Sequence, residues 1–275
     1  MTLLAEKNTV VVKTPNFFSL DRTLDCGQCF RFEKDDDGTW NGVAFGKSVK
    51  IKEDGQNLVF YNITQEDFDD LFFDYFDLGR DYEEIDEILC RDERFKVASE
   101  YAAGIHIMNQ EPWETLCSFI ISQNNNIPRI KGIIKRLCEN FGERLPDGNY
   151  TFPSAERVAE LSAEDLSVLR AGFRVKYIMD AAKKISSGEV NLEIQPDIPL
   201  EQARDELCKI KGVGAKVADC ALLFSLKRMD AFPSDVWIKR VMGILFPDGL
   251  PEEFLPIAGI AQQYLYHYSR MSGEF

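Results

Sequence analysis

A lysine at the head of one helix and a carboxylate at the head of another are the side chains best placed to do chemistry in this chain. Lys216 follows Gly212-Val213-Gly214-Ala215, and Asp235 closes Phe232-Pro233-Ser234-Asp235. Leu200, Ala203, Leu207 and Ile210 recur at helical spacing before the glycines, and Val217, Ala221 and Phe224 after them. The segment therefore reads as a helix, a tight turn and a second helix. Gly212 and Gly214 are expected to take the positive φ angles of such a turn. The N–H groups of Gly212, Gly214 and Ala215 then stand bare at the start of the second helix, a site for an anion the size of a phosphate. Alone, a Gly-x-Gly turn is equally an ordinary interhelical connection. Lys216 sharpens the reading. The macrodipole is positive at a helix N-terminus, so stability alone would not place a cation there. An amine that must be uncharged to attack carbon gains from the same field. Pro233, Ser234 and Asp235 have the form of a lead-in and cap that would aim a carboxylate back at the lysine. The bland alternatives are a solvated helix lysine and a plain N-cap.

The elements that must position these residues divide the chain in two. Residues 8 to about 64 show short alternating apolar runs at Val10–Val12, Cys29–Phe32, Gly42–Phe45, Val49–Ile51 and Leu58–Ile63. Turn residues such as Asp36-Asp37-Gly38 and Asp54-Gly55 separate them, which predicts an antiparallel meander. From about Gln65 the pattern becomes helical. Ile127, Ile130, Ile134, Leu137 and Phe141 form one apolar stripe, with Lys131, Lys135 and Arg136 facing elsewhere. The prediction is an α+β protein, a small sheet domain over residues 1–103 followed by a helical body over 104–275. A helix-hairpin-helix unit is expected over about 200–227 and a C-terminal helix over about 256–270.

Composition narrows the function classes. The 275 residues are 45% hydrophobic, enough for two or three domains with real cores. No stretch of about eighteen apolar residues exists, so no membrane partner is expected. Met1-Thr2-Leu3-Leu4-Ala5-Glu6-Lys7 has no signal-peptide core. Seven cysteines, an odd number, suggest reduced thiols. Cys26-x-x-Cys29 is half a metal motif at most, because tetrahedral zinc wants four ligands and the chain has only two histidines, His106 and His267. The net charge of −14 argues against nucleic acid if taken whole, yet −11 of it falls within residues 1–100. The segment with the phosphate-type turn is close to neutral.

Gly212-Val213-Gly214-Ala215-Lys216-Val217-Ala218-Asp219-Cys220 followed by Pro233-Ser234-Asp235-Val236 resembles the helix-hairpin-helix DNA glycosylases, and within them the 8-oxoguanine DNA glycosylase/lyases. The resemblance runs along nearly the whole chain. It includes Leu24-Asp25-Cys26-Gly27-Gln28-Cys29-Phe30-Arg31, Ser122-Gln123-Asn124-Asn125-Asn126-Ile127-Pro128-Arg129-Ile130, Gly172-Phe173-Arg174-Val175-Lys176-Tyr177 and Gly259-Ile260-Ala261-Gln262-Gln263-Tyr264-Leu265-Tyr266. It implies a twisted N-terminal sheet and a two-lobed helical body with the active site between the lobes. It also implies base flipping on double-stranded DNA containing 8-oxoguanine, followed by cleavage at the abasic site.

By that resemblance Lys216 is the nucleophile that forms a Schiff base, and Asp235 stabilises the developing oxocarbenium charge. Cys220 and Tyr266 stack on the two faces of the base, and Gln262 bonds its Watson–Crick edge. The Gly27 carbonyl accepts the N7–H that the oxidised base has and guanine lacks. Asn124, Phe173, Arg129 and Arg174 serve as wedge and readers of the opposite cytosine. The carbonyls of Cys208, Ile210 and Val213 match positions that hold a structural cation. No cofactor is required, and no cysteine follows Cys220 to build an iron–sulfur cluster. Three positions depart from the pattern: Lys211 stands where proline is expected, and Trp237 and Ser269 where a histidine and an aspartate are. The expected state is a monomer, in the cytoplasm with the nucleoid or in a nucleus. Two rival readings stay open. One is an alkylpurine glycosylase with a carboxylate-activated water, which Lys216 speaks against. The other is a non-catalytic DNA-binding module, which leaves Lys216, Cys220 and Gln262 without a joint use.

Overall fold

The computed structural model describes residues 8–274. Met1–Lys7, read above for a leader, lies outside them. Strands β1 (Thr9–Lys13), β2 (Phe32–Lys34), β3 (Trp40–Ala44), β4 (Lys47–Asp54) and β5 (Asn57–Tyr61) form one antiparallel sheet in the order β1-β5-β4-β3-β2. The alternating pattern sets which face is buried: Val49 and Ile51 point inward while Lys50 between them is exposed. Ile51 stands opposite Phe60 of β5. The helix α1 (Leu20–Asp25) separates β1 from β2 in the chain. After β5, two short turns of helix, α2 (Gln65–Asp67) and α3 (Phe73–Tyr75), flank a π-helical stretch at Phe68–Phe72. They bring Phe68, Phe72 and Phe76 edge-on or tilted against Phe60, closing the sheet's core.

One predicted strand is corrected. Pairing begins only at Phe32 and not at Cys29. The preceding residues leave the sheet as a loop because their polar groups bond the helical body instead. Gln110 Nε2 donates to the Gln28 carbonyl at 2.8 Å, and Gln263 Nε2 to that of Cys26 at 3.1 Å.

The body consists of α4 (Tyr82–Leu89), α5 (Glu93–Ala102), α6 (Pro112–Ser122), α7 (Ile127–Phe141), α8 (Ala155–Ala159), α9 (Val175–Ser186), α10 (Leu200–Cys208), α11 (Ala215–Ser225), α12 (Val236–Leu245) and α13 (Ala258–Met271). Its core is separate from that of the sheet and includes α4 and α5, whose Tyr82, Leu89 and Phe95 are buried in it. Helix α11 packs on α6, and α13 packs on α5 and α12. All residues of α11 from Val217 to Phe224 are buried. Burying each Val, Leu or Phe side chain there is worth roughly 1.5–3 kcal/mol, which fixes the helix that carries Lys216. No helix among the described residues is long and apolar enough to cross a membrane. All seven cysteines are free thiols.

Candidate active site

The turn between α10 and α11 is braced from α9. Asp180 accepts the Lys211 N–H at 2.7 Å, Lys184 Nζ donates to the Lys209 carbonyl at 2.6 Å, and the Tyr177 ring lies under Gly212. Gly212 has a φ of +82°, and a Cβ there would sit 2.5 Å from that ring, so only glycine fits. Gly214 differs from expectation. Its φ is −113°, and it is the N-cap of α11, its carbonyl accepting from Val217 and Ala218. Glycine's contribution at this position is open space, since a Cβ added there would meet nothing within 4 Å. The N–H groups of Gly212, Gly214 and Ala215 bond nothing among the described residues, as an anion site requires. The N–H that Lys211 has and proline would lack is the one Asp180 accepts. The carbonyls of Cys208 and Val213 accept no hydrogen bond among the described residues, and that of Ile210 accepts one, from Val213.

Lys216, Cys220, Asp235, Gly27, Gln262 and Tyr266 line one cavity of about 330 Å³. Lys216, in the first turn of α11, holds its Nζ 5.2 Å from the centre of the Phe119 ring on α6. Cys220 lies one turn further along the same face. Burial pushes its thiol up to about 11, against the pull of the Lys216 charge. At neutral pH it is an uncharged, polarisable surface and not a nucleophile. Asp235 caps α12, its Oδ1 accepting the Ile238 N–H at 2.9 Å. Its second oxygen has no partner among the described residues, and Lys216 and Asp235, which line the same cavity, form no ion pair with each other.

Gln262 is buried at 4% exposure. Its Nε2 donates to the Pro233 carbonyl at 3.0 Å, while its Oε1 has no partner. An orphaned buried acceptor costs about 1–3 kcal/mol, and in a cavity wall it is a place where a ligand can complete the bonding. Gly27 has a φ of +87° in the loop before β2. Gln28 holds that loop to the segment ahead of α6: its Nε2 donates to the Thr23 and His106 carbonyls, and its Oε1 accepts the Met108 N–H. The carbonyls of Cys26 and Gln28 are both engaged, whereas that of Gly27 accepts nothing from the described residues. Burial pushes the Tyr266 phenol up, and the Arg270 guanidinium sits 5.6 Å from its ring centre.

Asn124, Arg129, Phe173 and Arg174 do not line this cavity. They gather at the turn between α6 and α7, where the neighbouring Asn125 and Asn126 do line it. Asn124 is left-handed, with a φ of 47°. Arg129 is exposed, and Phe173 is 47% exposed, its ring in a T-shaped contact with that of Tyr177. Arg174, read as a contact to the opposite cytosine, is 2% exposed. Its nitrogens donate to the carbonyls of Gln123 at 2.9 Å, Ala171 at 3.2 Å and Asn124 at 2.8 Å. A planar fork that finds this many carbonyls is worth more as a brace inside than exposed. In this structure it holds the Asn124 turn.

Trp237 also lines the cavity, with the Arg240 guanidinium 5.5 Å from its ring. Ser269 is buried and donates to the Tyr266 carbonyl at 2.8 Å, so its hydroxyl is spent within α13. Phe119 and Arg270 line the cavity without standing out in the sequence. Arg270 follows Tyr266 by four residues, a spacing that could have found it. Phe119 comes from a distant helix, and no local pattern announces it. A larger cleft of about 860 Å³, between β3 and α7, holds none of the predicted side chains.

Residues 10–116 match the 8-oxoguanine DNA glycosylase N-terminal domain, and residues 117–249 the HhH-GPD superfamily of base excision DNA repair proteins. The solved structure of MBOgg1 in complex with a low-affinity DNA ligand is 44% identical, with a TM-score of 0.92 over 97% of each chain. The Clostridium acetobutylicum 8-oxoguanine glycosylase/lyase, in complex with double-stranded DNA containing cytosine opposite 8-oxoG, is 39% identical. Its TM-score is 0.90 over 98% of this chain and 97% of that one. The Saccharomyces cerevisiae N-glycosylase/DNA lyase is 40% identical over 153 residues, 50% of this chain and 41% of the yeast protein. This chain therefore spans less than half of the yeast protein's length in the match. Likeness of this degree along almost the entire length of two solved relatives means that the chain belongs to the 8-oxoguanine DNA glycosylase family.

Proposed function

We propose that the chain removes 8-oxoguanine opposite cytosine from duplex DNA and then cleaves the strand at the abasic site. The observation that carries this reading is the lone Gln262 Oε1, buried in the same cavity as Lys216 and Asp235. An extruded purine would bring its ring N–H donors to that acceptor, and its N7–H to the Gly27 carbonyl. Guanine, with a bare N7, would set acceptor against acceptor there, and an unpaired polar group in a closed site is a strong rejection. Cys220 and Tyr266 would cover the two faces of the ring.

The reaction follows from Lys216 and Asp235. The Lys216 amine attacks C1′ as the C1′–N9 bond breaks, and the bonding pair leaves with the base, which takes up a proton. Asp235 faces the sugar as positive charge develops on it, and the absence of a Lys216–Asp235 ion pair leaves both groups available. Ring opening gives a Schiff base between Nζ and C1′. Loss of a C2′ proton then expels the 3′ phosphate by β-elimination. The bare N–H groups of Gly212, Gly214 and Ala215 would hold a backbone phosphate. The carbonyls of Cys208, Ile210 and Val213 suit a cation beside it, which would neutralise phosphate charge. Asn124 and Phe173 would fill the gap left by the base, and Arg129 and Arg174 would face the orphaned cytosine; for Arg174 that requires exchanging carbonyl partners for base acceptors. One copy of the chain supplies every one of these groups, which fits action as a monomer.

The test is single-turnover incubation with duplexes that carry one 8-oxoguanine opposite each of the four bases, and with undamaged duplex. The expected result is base release with nicking at the lesion, fastest opposite cytosine. Release without nicking would turn the reading toward a water-using alkylpurine-type glycosylase, and neither toward a DNA-binding module. Gln262→Leu should separate stability from function. It loses one hydrogen bond but also removes the orphaned acceptor, so stability should hold within about 1 kcal/mol by thermal melting. Excision should fall by about tenfold or more under the same single-turnover conditions.

A further inference from the structure

We infer that Arg270 anchors a backbone phosphate of the extruded nucleotide at the rim of the cavity. The inference rests on the glycosylase reading above. Among the described residues that line the cavity, Lys216 and Arg270 are the only cations and Asp235 the only anion. Lys216 is committed to C1′. Arg270 is exposed on α13 and forms no salt bridge among the described residues. It is nevertheless held in place. Its guanidinium lies over Tyr266, and its Nη1 is 3.5 Å from where a Cβ on Gly27 would be. An uncompensated cation fixed against an aromatic face has already lost much of its side-chain freedom, so less is lost when an anion arrives.

The anion follows from the ligand. A nucleotide drawn into this cavity brings a neutral base and a sugar with a phosphate on either side. The neighbours of Arg270 do not compete for a phosphate, since the Ser269 hydroxyl is tied to the Tyr266 carbonyl and Trp237 offers only an indole N–H. The turn before α11 grips the backbone from one element, and Arg270 grips it from another. Because Arg270 also touches Tyr266, engagement of the phosphate sets the ring that covers the base.

The test uses the full chain carrying Lys216→Gln to stop turnover. Binding is measured by fluorescence anisotropy across a salt series, on duplexes with 8-oxoguanine or a tetrahydrofuran abasic analogue opposite cytosine. Adding Arg270→Gln is expected to weaken both complexes by about tenfold. It should also make the slope of log K against log salt shallower by about 0.9, the signature of one lost phosphate contact. Arg270→Lys, which keeps the charge, should restore the slope. An unchanged slope would overturn the proposal, as would a loss confined to the 8-oxoguanine duplex, which would mean contact with the base. If the Lys216→Gln protein itself fails to prefer either lesion duplex over undamaged DNA, the glycosylase reading fails first and takes this proposal with it.

Discussion

Lys216→Gln protein is expected to bind an 8-oxoguanine duplex as a folded molecule, yet to leave no covalent adduct when borohydride is added. The unsubstituted protein should be trapped on the same duplex, because reduction of the Schiff base joins Nζ to C1′ permanently. Base release should fall by a factor on the order of 10⁴ or more, as when a covalent nucleophile is deleted from other enzymes. The fold should survive. Losing the contact over Phe119 gives up about 0.5–1 kcal/mol, while removing a positive charge from a helix N-terminus returns a similar amount. Thermal melting close to that of the parent, together with absent trapping, would place the defect in the chemistry. A trapped adduct with the variant would show that another amine is the nucleophile and would overturn the assignment.

Asp235→Asn should produce the second largest effect, and its value lies in what it leaves intact. Asparagine caps helices about as well as aspartate, so the bond to the Ile238 N–H and the start of α12 should persist. The negative charge that the proposed mechanism sets against the sugar is lost. Removal of a preorganised stabiliser of transition-state charge is worth about 10²–10³ in rate, and single-turnover base release should fall by that much with binding largely kept. Asp235→Ala adds the loss of the cap, about 1 kcal/mol, visible in melting. If Asp235→Asn excises at the parental rate, the residue is a cap and nothing more.

Much of the fold and part of the site are legible in the sequence, and the division has a physical reason. The helices on either side of Gly212 can be read because apolar residues recur at a helical period, and Lys216 and Cys220 fall on one face because they are four residues apart. The departures are all places where distant groups decide. Cys29–Phe32 looks like a strand, but hydrogen bonds reaching 82 and 237 positions along the chain pull the loop ahead of Phe32 toward the body. Gly214 looks like a second left-handed glycine, yet the conformation needed to cap α11 is extended. Arg174 is buried because the carbonyls of Gln123, Asn124 and Ala171 converge on it, and no local pattern announces that. Local periodicity specifies the elements, while the groups that close a cavity come from several of them at once.

Around Gly27 the loop is pinned by three amide side chains, Gln28, Gln110 and Gln263, while its one ion pair among the described residues, Arg31 with Glu114 at 3.1 Å, lies at the far end beside β2. Neutral fastenings of this kind barely respond to ionic strength or acidity, whereas the proposed grip on the DNA backbone is ionic and should weaken as salt rises. Two qualities of the protein are thereby uncoupled. How long it stays on DNA varies with the surrounding electrolyte. On the proposed reading, how well it tells an oxidised base from an intact one rests on the neutral fastenings around Gly27, and should keep its calibration when the electrolyte changes.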